Sequence, residues 1–200
     1  MPTIKEMFYS IQGEGHSAGR AAVFCRFTGC NLWSGRQEDR GESCSGWCDT
    51  DFLGGEKLSE AEIRDRAERL FHGSGGKPLI VFTGGEPALQ LTNTLLRQFK
   101  GWDIEIETNG TIPLPSEPCW VTVSPKEGSN WVVKYGGALK LVWPQPFNLP
   151  EIEALPFQEF YLQPKHDENI EQNMRECFEL CLQRPIWKIS LQLHKFIGVR

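Results

Sequence analysis

The chain has 200 residues, of which 40% are hydrophobic and 11% aromatic, and its formal net charge is −5. This composition allows one domain of ordinary size with a substantial core and argues against disorder. Because Lys and Arg are scattered among Asp and Glu, it also argues against duplex nucleic acid as the main ligand. No stretch approaches the roughly 18 consecutive apolar residues of a membrane span, and the first residues lack the features of a secretory signal. We therefore expect a cytoplasmic protein with neither nucleic-acid nor membrane partners.

Short β-type runs alternate with helical patterns along the chain. The predicted strands are 22–26, 79–83, 104–108, 120–124, 138–142, 159–162 and 188–192. A capping box of Ser59 and Glu62 predicts a helix running towards Phe71, and a second helix is predicted over 89–99. A third is predicted from apolar residues at helical spacing, which are Ile170, Met174, Cys177, Phe178, Cys181 and Leu182.

Alternating strands and helices predict an α/β fold with a mostly parallel sheet. A complete eight-unit barrel usually takes about 250 residues, and the region 109–118 is too short for a long helix. The expected architecture is therefore a partial, open β/α barrel reduced in helices. We expect residues 1–200 to form a single domain, because no linker or internal repeat divides them.

The polar motifs of the chain fall at the carboxyl-terminal ends of five predicted strands. They occupy residues 83–87, 107–110, 124–126, 163–164 and 192–195. Enzymes with parallel sheets build their sites at this edge, where the ends of neighbouring strands meet. Ordinary turns would explain one or two such motifs, but five of them favour one shared site.

Seven cysteines in a reducing compartment favour metal or redox chemistry over a disulfide framework. Cys30, Cys44 and Cys48 lie in one polar loop after the first predicted strand, and three thiolates from one loop suit a soft metal. A closed zinc site would need a fourth ligand. His16 could supply it, but nothing in the spacing between His16 and the cysteines supports this. A three-cysteine iron–sulfur cluster would instead leave one iron open to a small molecule.

Three further cysteines are expected in the core rather than in a site. Cys25 lies within an apolar strand, and Cys177 and Cys181 lie on the apolar face of the predicted third helix. A buried thiol of this kind behaves as a small apolar group.

With this cysteine loop followed by Gly-Gly-Glu-Pro after the next predicted strand, the chain resembles the radical S-adenosylmethionine (SAM) enzymes. It is most similar to the 7-carboxy-7-deazaguanine synthase family. The resembling segments cover almost the whole chain in order and are 8–15, 25–30, 48–50, 84–87, 107–110, 124–126, 139–140, 163–164 and 192–195.

The chain departs from that family in two places. Its extended cluster loop, at about 30–48, reads C-x13-C-x3-C, whereas members with an extended loop usually read C-x14-C-x2-C. The middle cysteine, Cys44, is therefore displaced by one position, and we expect Gly46 to absorb the extra residue. Leu193 stands where relatives often carry threonine.

The resemblance implies three cofactors. Cys30, Cys44 and Cys48 would hold a 4Fe–4S cluster whose open iron binds the methionine part of SAM, and Thr50 would help to place Mg²⁺ against the substrate. The residues implied in SAM binding are Gly84, Gly85, Glu86, Glu107, Ser124 and Lys126. The two glycines lack a Cβ, which permits close backbone approach. The alternative for Glu107, Ser124 and Lys126, each taken alone, is that the first two cap strand ends and the third is a solvated lysine.

The reaction implied by the resemblance converts 6-carboxy-5,6,7,8-tetrahydropterin to 7-carboxy-7-deazaguanine with loss of ammonia, in deazapurine (queuosine-type) biosynthesis. The matching substrate positions are Gln12, Glu14, Arg26, Thr83, Gln163, Gln192, His194 and Arg200. Glu14 can accept hydrogen bonds from an aminopyrimidinone edge, and Arg26 can fork onto a carboxylate. In close relatives the terminal carboxylate, here that of Arg200, reaches the pocket. The alternative is that 12–15 is an ordinary turn and Arg26 a surface ion-pair partner.

The implied partners are a small-molecule pterin, an electron donor such as flavodoxin or ferredoxin, and a second copy of the chain in a homodimer. An alternative is a radical SAM activase that generates a glycyl radical on a partner protein. Its site must admit a polypeptide loop, whereas Gln12, Glu14 and Arg26 favour a small polar substrate. An alternative from a different functional class is a zinc-binding module without catalytic activity.

Overall fold

The computed structural model describes residues 1–41 and 44–199, and nine strands form one sheet. The strands are β1 (Thr3–Ile11), β2 (Ala21–Phe27), β3 (Glu56–Lys57), β4 (Leu79–Gly84), β5 (Asp103–Thr108), β6 (Trp120–Val123), β7 (Gly136–Trp143), β8 (Phe157–Pro164) and β9 (Trp187–Ile189). Their order across the sheet is β3-β1-β2-β4-β5-β6-β7-β8-β9. β1 pairs antiparallel with β2 and β3, whereas the neighbours from β2 through β4 to β9 all pair in parallel.

Five helices accompany the sheet in the described part of the chain. They are α1 (Glu60–Leu70), α2 (Asn93–Gln98), α3 (Leu149–Glu153), α4 (Ile170–Gln183) and α5 (Leu193–Ile197). The predicted capping box at the start of α1 is confirmed, because the Ser59 hydroxyl accepts from the Glu62 amide at 3.2 Å and the Ser59 amide donates to the Glu62 carboxylate at 2.7 Å. None of the described helices is long and apolar enough to cross a bilayer.

Two of the parallel connections contain loops instead of helices. Residues 109–119 join β5 to β6, and residues 124–135 join β6 to β7. The prediction of an α/β partial barrel reduced in helices is therefore confirmed. Because loops replace helices in these two connections, the carboxyl-terminal strand ends stay close to one another and to the loop after β2.

The core lies on both faces of the central strands. Ile80 and Phe82 of β4 pack with Ile63 of α1 and Leu95 of α2, while Val81 packs on the opposite face. All of them are essentially inaccessible to solvent. A strand that is apolar on both sides is typical of a parallel sheet covered on each face, and it gives the residues at its carboxyl end a fixed position.

Four sequence predictions need correction. The predicted strand 188–192 is β9, which ends at Ile189, so residues 192–195 lie at the start of α5 and do not directly follow a strand. β1 was not predicted, because its residues are nearly all half-buried and its alternation is weak. The predicted helix 89–99 begins only at Asn93, since the Thr92 hydroxyl accepts from the Leu95 amide and caps the helix there at 3.0 Å. On α4, Phe178 and Leu182 are 57% and 67% exposed, so the predicted apolar face is only partly covered.

The amino-terminal ends of the strands are closed by the turn after β1. His16 stacks on Trp120 with ring centroids 3.7 Å apart, and its Nδ1 lies 3.0 Å from Glu159. Ser17 donates to the buried carboxylate of Glu105. His16 is thus at the opposite end of the sheet from the polar strand-end motifs, so it is not a fourth ligand for the cysteine loop.

Candidate functional site

A cavity of about 530 Å³ opens at the carboxyl-terminal edge of the sheet. The predicted site residues that line it are Gln12, Glu14, Arg26, Cys48, Thr50, Thr83, Gly84, Gly85, Glu107, Ser124, Lys126, Gln163, Gln192 and His194. They come from six strand ends and two loops that are distant in sequence. A second cavity, lined by Met1, Ser59 and Leu89 among others, is bordered by none of the predicted site residues that the structure describes.

Four predicted site residues are not on that lining. Cys30 and Cys44 are half-buried behind it, and Arg200 lies outside the described residues. Glu86 is completely buried, and its role is described next.

The Glu86 carboxylate ties together the segments that follow β4 and β5. It accepts from the Thr108 hydroxyl at 2.7 Å, from the Asn109 amide at 2.7 Å and from the Ala88 amide at 2.9 Å. Burial raises the pKa of Glu86, against the lowering effect of these hydrogen bonds. Its oxygens are occupied by its own chain, so a direct contact between Glu86 and SAM stays a prediction.

Gly84 and Gly85 pass unusually close to the backbone at the end of β2. The Gly85 amide donates to the Phe27 carbonyl at 3.3 Å, and the Glu86 amide donates to the Gly29 carbonyl at 2.8 Å. A Cβ on Gly85 would overlap the Gly29 carbonyl, 2.6 Å from its carbon, and would lie 3.1 Å from the Cβ of Cys30. This close approach fixes the glycine segment directly beside the first cysteine of the loop.

Cys30, Cys44 and Cys48 lie near enough to one another, beside this segment, for their charges to interact. Burial raises the pKa values of Cys30 and Cys44, and each is raised further by the charge of Cys48. Within the described ranges, no three His, Cys, Asp or Glu side chains are arranged to hold one metal ion. The remaining predictions for cysteines are confirmed for Cys25 and Cys177, which are buried, whereas Cys181 is half-buried.

A buried network of opposite charges occupies the floor of the cavity. The Glu14 carboxylate forms an ion pair with Lys140 and accepts from Gln192 Nε2 at 3.0 Å. Burial acts to raise the pKa of Glu14, but the Lys140 ammonium outweighs it and holds that pKa at about 2. Glu107 lies 3.9 Å from the same ammonium and accepts from Thr83 at 2.8 Å. Glu14 is therefore ionised, with its acceptor oxygens aimed into the cavity.

Lys126 lies between the network and the cysteine loop. Its ammonium donates to the Ser124 hydroxyl at 2.6 Å and lies 5.5 Å from the centre of the Trp47 ring. Burial lowers the pKa of Lys126 to about 8, with repulsion from Lys140 acting in the same direction. The cavity thus carries a second cation, on the side where the thiols lie.

The opposite wall of the cavity is formed by β1, β2 and α5. Arg26 forms an ion pair with Glu6, to which its Nε donates at 3.0 Å, and it lines the cavity. A Cβ on Gly13 would lie 2.7 Å from Nδ1 of His194, so the turn and α5 are in close contact. Lys195 of α5 forms an ion pair with Asp49, next to the last loop cysteine. The chain's carboxyl-terminal region is thereby tied to the cysteine loop across the cavity.

The geometry agrees with comparisons to known proteins. The chain is 44% identical to the 7-carboxy-7-deazaguanine synthase of Bradyrhizobium diazoefficiens and 44% identical to that of Caulobacter vibrioides, in each case over 98% of both chains. The chain belongs to the 7-carboxy-7-deazaguanine synthase family. Its fold is similar to the crystal structure of QueE from Escherichia coli, with a TM-score of 0.70 and 26% identity over 96% of this chain and 93% of that one. No family model matches the chain.

Membership of the synthase family confirms the resemblance seen in the sequence. The residues present also fit the cofactors that the resemblance implies. Three thiols are soft ligands of the kind that hold iron–sulfur clusters. Gly84 and Gly85 line the cavity and Gly85 lies against Cys30, so a molecule bound in the cavity at this point would lie next to such a cluster.

The cysteine loop of this synthase-family chain is held by Arg40. The Arg40 guanidinium donates to the carbonyls of Ser45 at 2.6 Å and Cys48 at 3.1 Å, and to the Gln37 side chain at 2.7 Å. It also lies 4.5 Å from the centre of the Trp33 ring. One side chain thus fixes the backbone of the segment that carries the last two loop cysteines.

Several residues that line the cavity were given no site role from the sequence, among them Lys140, Asp49 and His166, although Lys140 and Asp49 lie in the resembling segments. Lys140 had a usable signal, because a lysine inside an otherwise apolar parallel strand must find a buried partner. Asp49 and His166 carried no comparable signal. They lie in loops whose course across the cavity is decided by tertiary structure.

Proposed function

We propose that this chain is a radical SAM lyase that converts 6-carboxy-5,6,7,8-tetrahydropterin to 7-carboxy-7-deazaguanine and ammonia. The observation that carries the proposal is the cavity that joins the cysteine loop to the buried carboxylate of Glu14 and the guanidinium of Arg26. Substrate and product differ only by the elements of ammonia, so the net reaction needs neither oxidant nor reductant. Near-complete coverage by synthase-family relatives favours this small-molecule reaction over a glycyl-radical activase or a zinc module.

The proposed cofactor residues lie on one side of the cavity. Cys30, Cys44 and Cys48 hold a 4Fe–4S cluster, and Gly84 and Gly85 receive the amino group of SAM along their exposed backbone. When bound, the cluster and SAM together supply a 5′-deoxyadenosyl radical that removes a hydrogen atom from the substrate. The protein's part is to fix the reacting atoms and keep water away.

The SAM nucleoside and carboxylate are assigned to the residues at the ends of β5 and β6. Glu107 accepts from the ribose hydroxyls, because a carboxylate is a bidentate acceptor. Ser124 and Lys126 hold the SAM carboxylate, for which the buried ammonium of Lys126 supplies the opposite charge. Glu86 acts behind them by joining the two strand ends.

The substrate residues lie on the other side. Glu14 accepts from the 2-amino and ring N–H groups of the pterin. Its low pKa keeps the carboxylate ionised, and so able to accept, at neutral pH. Arg26 binds the substrate carboxylate. The neutral amides that flank them are Gln12, Gln163 and Gln192. His194 closes the pocket, and Arg200 is proposed as a further substrate residue. Thr83 orients Glu107.

A magnesium ion is proposed at Thr50, whose hydroxyl lines the cavity beside Asp49. A hard cation that keeps several waters would bridge that hydroxyl to substrate oxygens. The requirement is checked by assaying turnover after chelation and with Mg²⁺ restored.

The further partners proposed are a reduced flavodoxin or ferredoxin as electron donor and a second copy of the chain. Phe178 and Leu182 expose an apolar surface on α4 that a homodimer would cover. Sedimentation of the wild-type protein and of Leu182→Glu tests the assembly. A cytoplasmic location suits the unpaired thiols.

The proposed reaction is tested by anaerobic reconstitution with iron and sulfide. The protein is then given SAM, dithionite, Mg²⁺ and the tetrahydropterin, and the products are identified by mass spectrometry. Formation of 7-carboxy-7-deazaguanine supports the proposal. Cleavage of SAM without that product would overturn the substrate assignment. If protein that carries the cluster did not cleave SAM, the proposed radical chemistry would be overturned.

Replacing Arg26 by methionine is expected to raise KM for the tetrahydropterin roughly 10- to 100-fold while leaving SAM affinity unchanged. Charge-assisted hydrogen bonds contribute about 1.5–3 kcal/mol, and this one is made to the substrate alone. The matched control is Arg20→Met, because Arg20 pairs with Asp103 outside the cavity. Equal KM values for the Arg26 variant and the control would contradict the assignment.

Replacing Arg40 by methionine is expected to speed loss of the cluster roughly tenfold, because two backbone carbonyls of the loop lose a charged donor worth about 1.5–3 kcal/mol each. The measurement is the decay of cluster absorbance in the presence of a chelator. Arg36→Met is the control, since Arg36 lies in the same loop but is largely exposed and pairs only loosely with Glu38 at 3.9 Å. Identical decay in the two variants would show that Arg40 does not support the cluster.

A further inference from the structure

Lys140 is a charged residue on a buried strand. It lies in the middle of β7, between Leu139 and Leu141, which are fully buried, and is itself only 6% exposed. Burying an ammonium is costly unless opposite charges compensate it. Its partners therefore explain why a lysine is present at this position.

Two carboxylates from different parts of the cavity share this one ammonium. Glu14 reaches it from the turn after β1, and Glu107 reaches to 3.9 Å from the end of β5. Each carboxylate also has neutral donors of its own. Gln192 donates to Glu14 at 3.0 Å, and Gln12 donates to Glu107 at 3.2 Å.

The single positive charge of Lys140 faces more than one carboxylate. A third carboxylate, Glu105, lies one layer deeper on β5 and is also buried. Without the ammonium, ionised carboxylates would face one another at low dielectric, and like charges so placed cannot all stay ionised near neutral pH. One of them would then take up a proton and lose part of its capacity to accept hydrogen bonds.

We infer that Lys140 is a positioning residue that allows Glu14 and Glu107 to be ionised together, so that the pterin site and the SAM site can be filled at the same time. The inference rests on the proposed function for the assignment of the two ligands. Glu14 serves the pterin, Glu107 serves the SAM ribose, and Lys140 touches neither ligand. It acts through the carboxylates on both sides.

Other titratable groups face this network and are part of any pH profile. They are His16 from the turn, Glu105 from β5, Lys126 after β6, Glu159 and Tyr161 from β8, Lys188 from β9 and His194 from α5. All of them are shared by the wild-type protein and the variants. Differences between the profiles therefore report the removal of the Lys140 charge.

The test measures SAM dissociation constants between pH 6 and 7.5 in the presence of saturating 6-carboxy-5,6,7,8-tetrahydropterin, using cluster-loaded protein without reductant; this range lies below the pKa of Lys126, which is about 8. The wild-type protein is expected to give a flat profile. With the pterin holding Glu14 ionised, Lys140→Met is expected to bind SAM more tightly as pH rises, by up to tenfold per pH unit, because the proton shared by the carboxylates must leave before Glu107 can accept from the ribose. Lys140→Arg is expected to restore the flat profile.

A second measurement repeats the titrations without the pterin. In Lys140→Met, SAM alone is expected to bind several-fold more tightly at pH 7 than in the presence of the pterin, and with a flat profile, since the shared proton can then stay on Glu14. The double variant Lys140→Met/Glu14→Gln removes one charge of each sign. It is expected to fold and to return the SAM profile to flat even if the single variant does not fold.

The outcomes separate this inference from the proposed function. A flat SAM profile for pterin-bound Lys140→Met, or a sloped one for the double variant, overturns the role of Lys140. Wild-type protein that binds SAM but not the pterin overturns the substrate assignment, and with it the part of Lys140 in filling both sites. Wild-type protein that does not bind SAM overturns both.

Discussion

Cys44→Ala is expected to lose the iron–sulfur cluster and with it all turnover, despite the displaced position of Cys44 in the loop. The structure shows how the extra residue is accommodated. Cys44–Gly46 forms a short 3-10 turn, and the Cys48 amide donates to the Cys44 carbonyl at 2.8 Å. This turn holds Cys44 and Cys48 close together, in a loop where both act electrostatically on one another and on Cys30.

The absorption of the extra residue by Gly46 stays a prediction, which the tight packing of this glycine supports. A Cβ at this position would overlap the Gly41 carbonyl, 3.6 Å from its carbon. The Gly41 amide meanwhile donates to the Ser45 hydroxyl at 3.0 Å, which pins the turn to the preceding loop. The displaced cysteine is therefore held as firmly as its neighbours are.

The measurement is iron and sulfide per chain after anaerobic reconstitution, together with the electron paramagnetic resonance of the reduced protein. Cys119→Ala is the control, because Cys119 is half-buried outside the cavity and has no thiol partner in the loop. It is expected to retain the full cluster. Full iron content in Cys44→Ala would remove Cys44 from the ligand set.

The parts of the fold that the sequence predicts well are those decided by local patterns. β4 is a run of buried apolar residues, and α1 begins with a capping box. Both signals lie within a few residues and depend on nothing distant. For the same reason, the polar motifs at strand ends could be assigned to one site as soon as the sheet was predicted to be parallel.

The parts that the sequence does not predict are decided by tertiary contacts. β1 contains Lys5 and Glu6 and is stabilised by pairing with β2, which no local pattern shows. The role of Lys140 depends on its ion pair with Glu14, which is 126 residues away along the chain. The interaction of Lys195 with Asp49 likewise depends on the path of the whole chain.

Gly85→Ala is expected to reduce SAM affinity at least 100-fold, the largest effect of a single methyl group in this site. The added Cβ would overlap the Gly29 carbonyl, and both partners are backbone, so no side-chain rotation relieves the clash. Overpacking of this kind costs about 1–3 kcal/mol in stability. It would also break the hydrogen bond from the Glu86 amide to Gly29, which is 2.8 Å long.

The displacement has a direct route to the proposed SAM site. Moving Gly85 shifts the backbone that is proposed to receive the SAM amino group, and it pushes on Cys30, whose Cβ would lie 3.1 Å from the new methyl. SAM binding and cluster content should therefore fall together. Equilibrium dialysis with labelled SAM and iron analysis measure the two effects on the same samples.

The control separates damage to the site from a general loss of stability. A Cβ on Gly101 would meet open space, but Gly101 has a φ of 91°, so alanine there is strained by about 1–2 kcal/mol. Gly101→Ala is expected to melt at a lower temperature while binding SAM with wild-type affinity. If Gly85→Ala behaved in the same way, the close approach of this glycine to Cys30 would have no part in SAM binding.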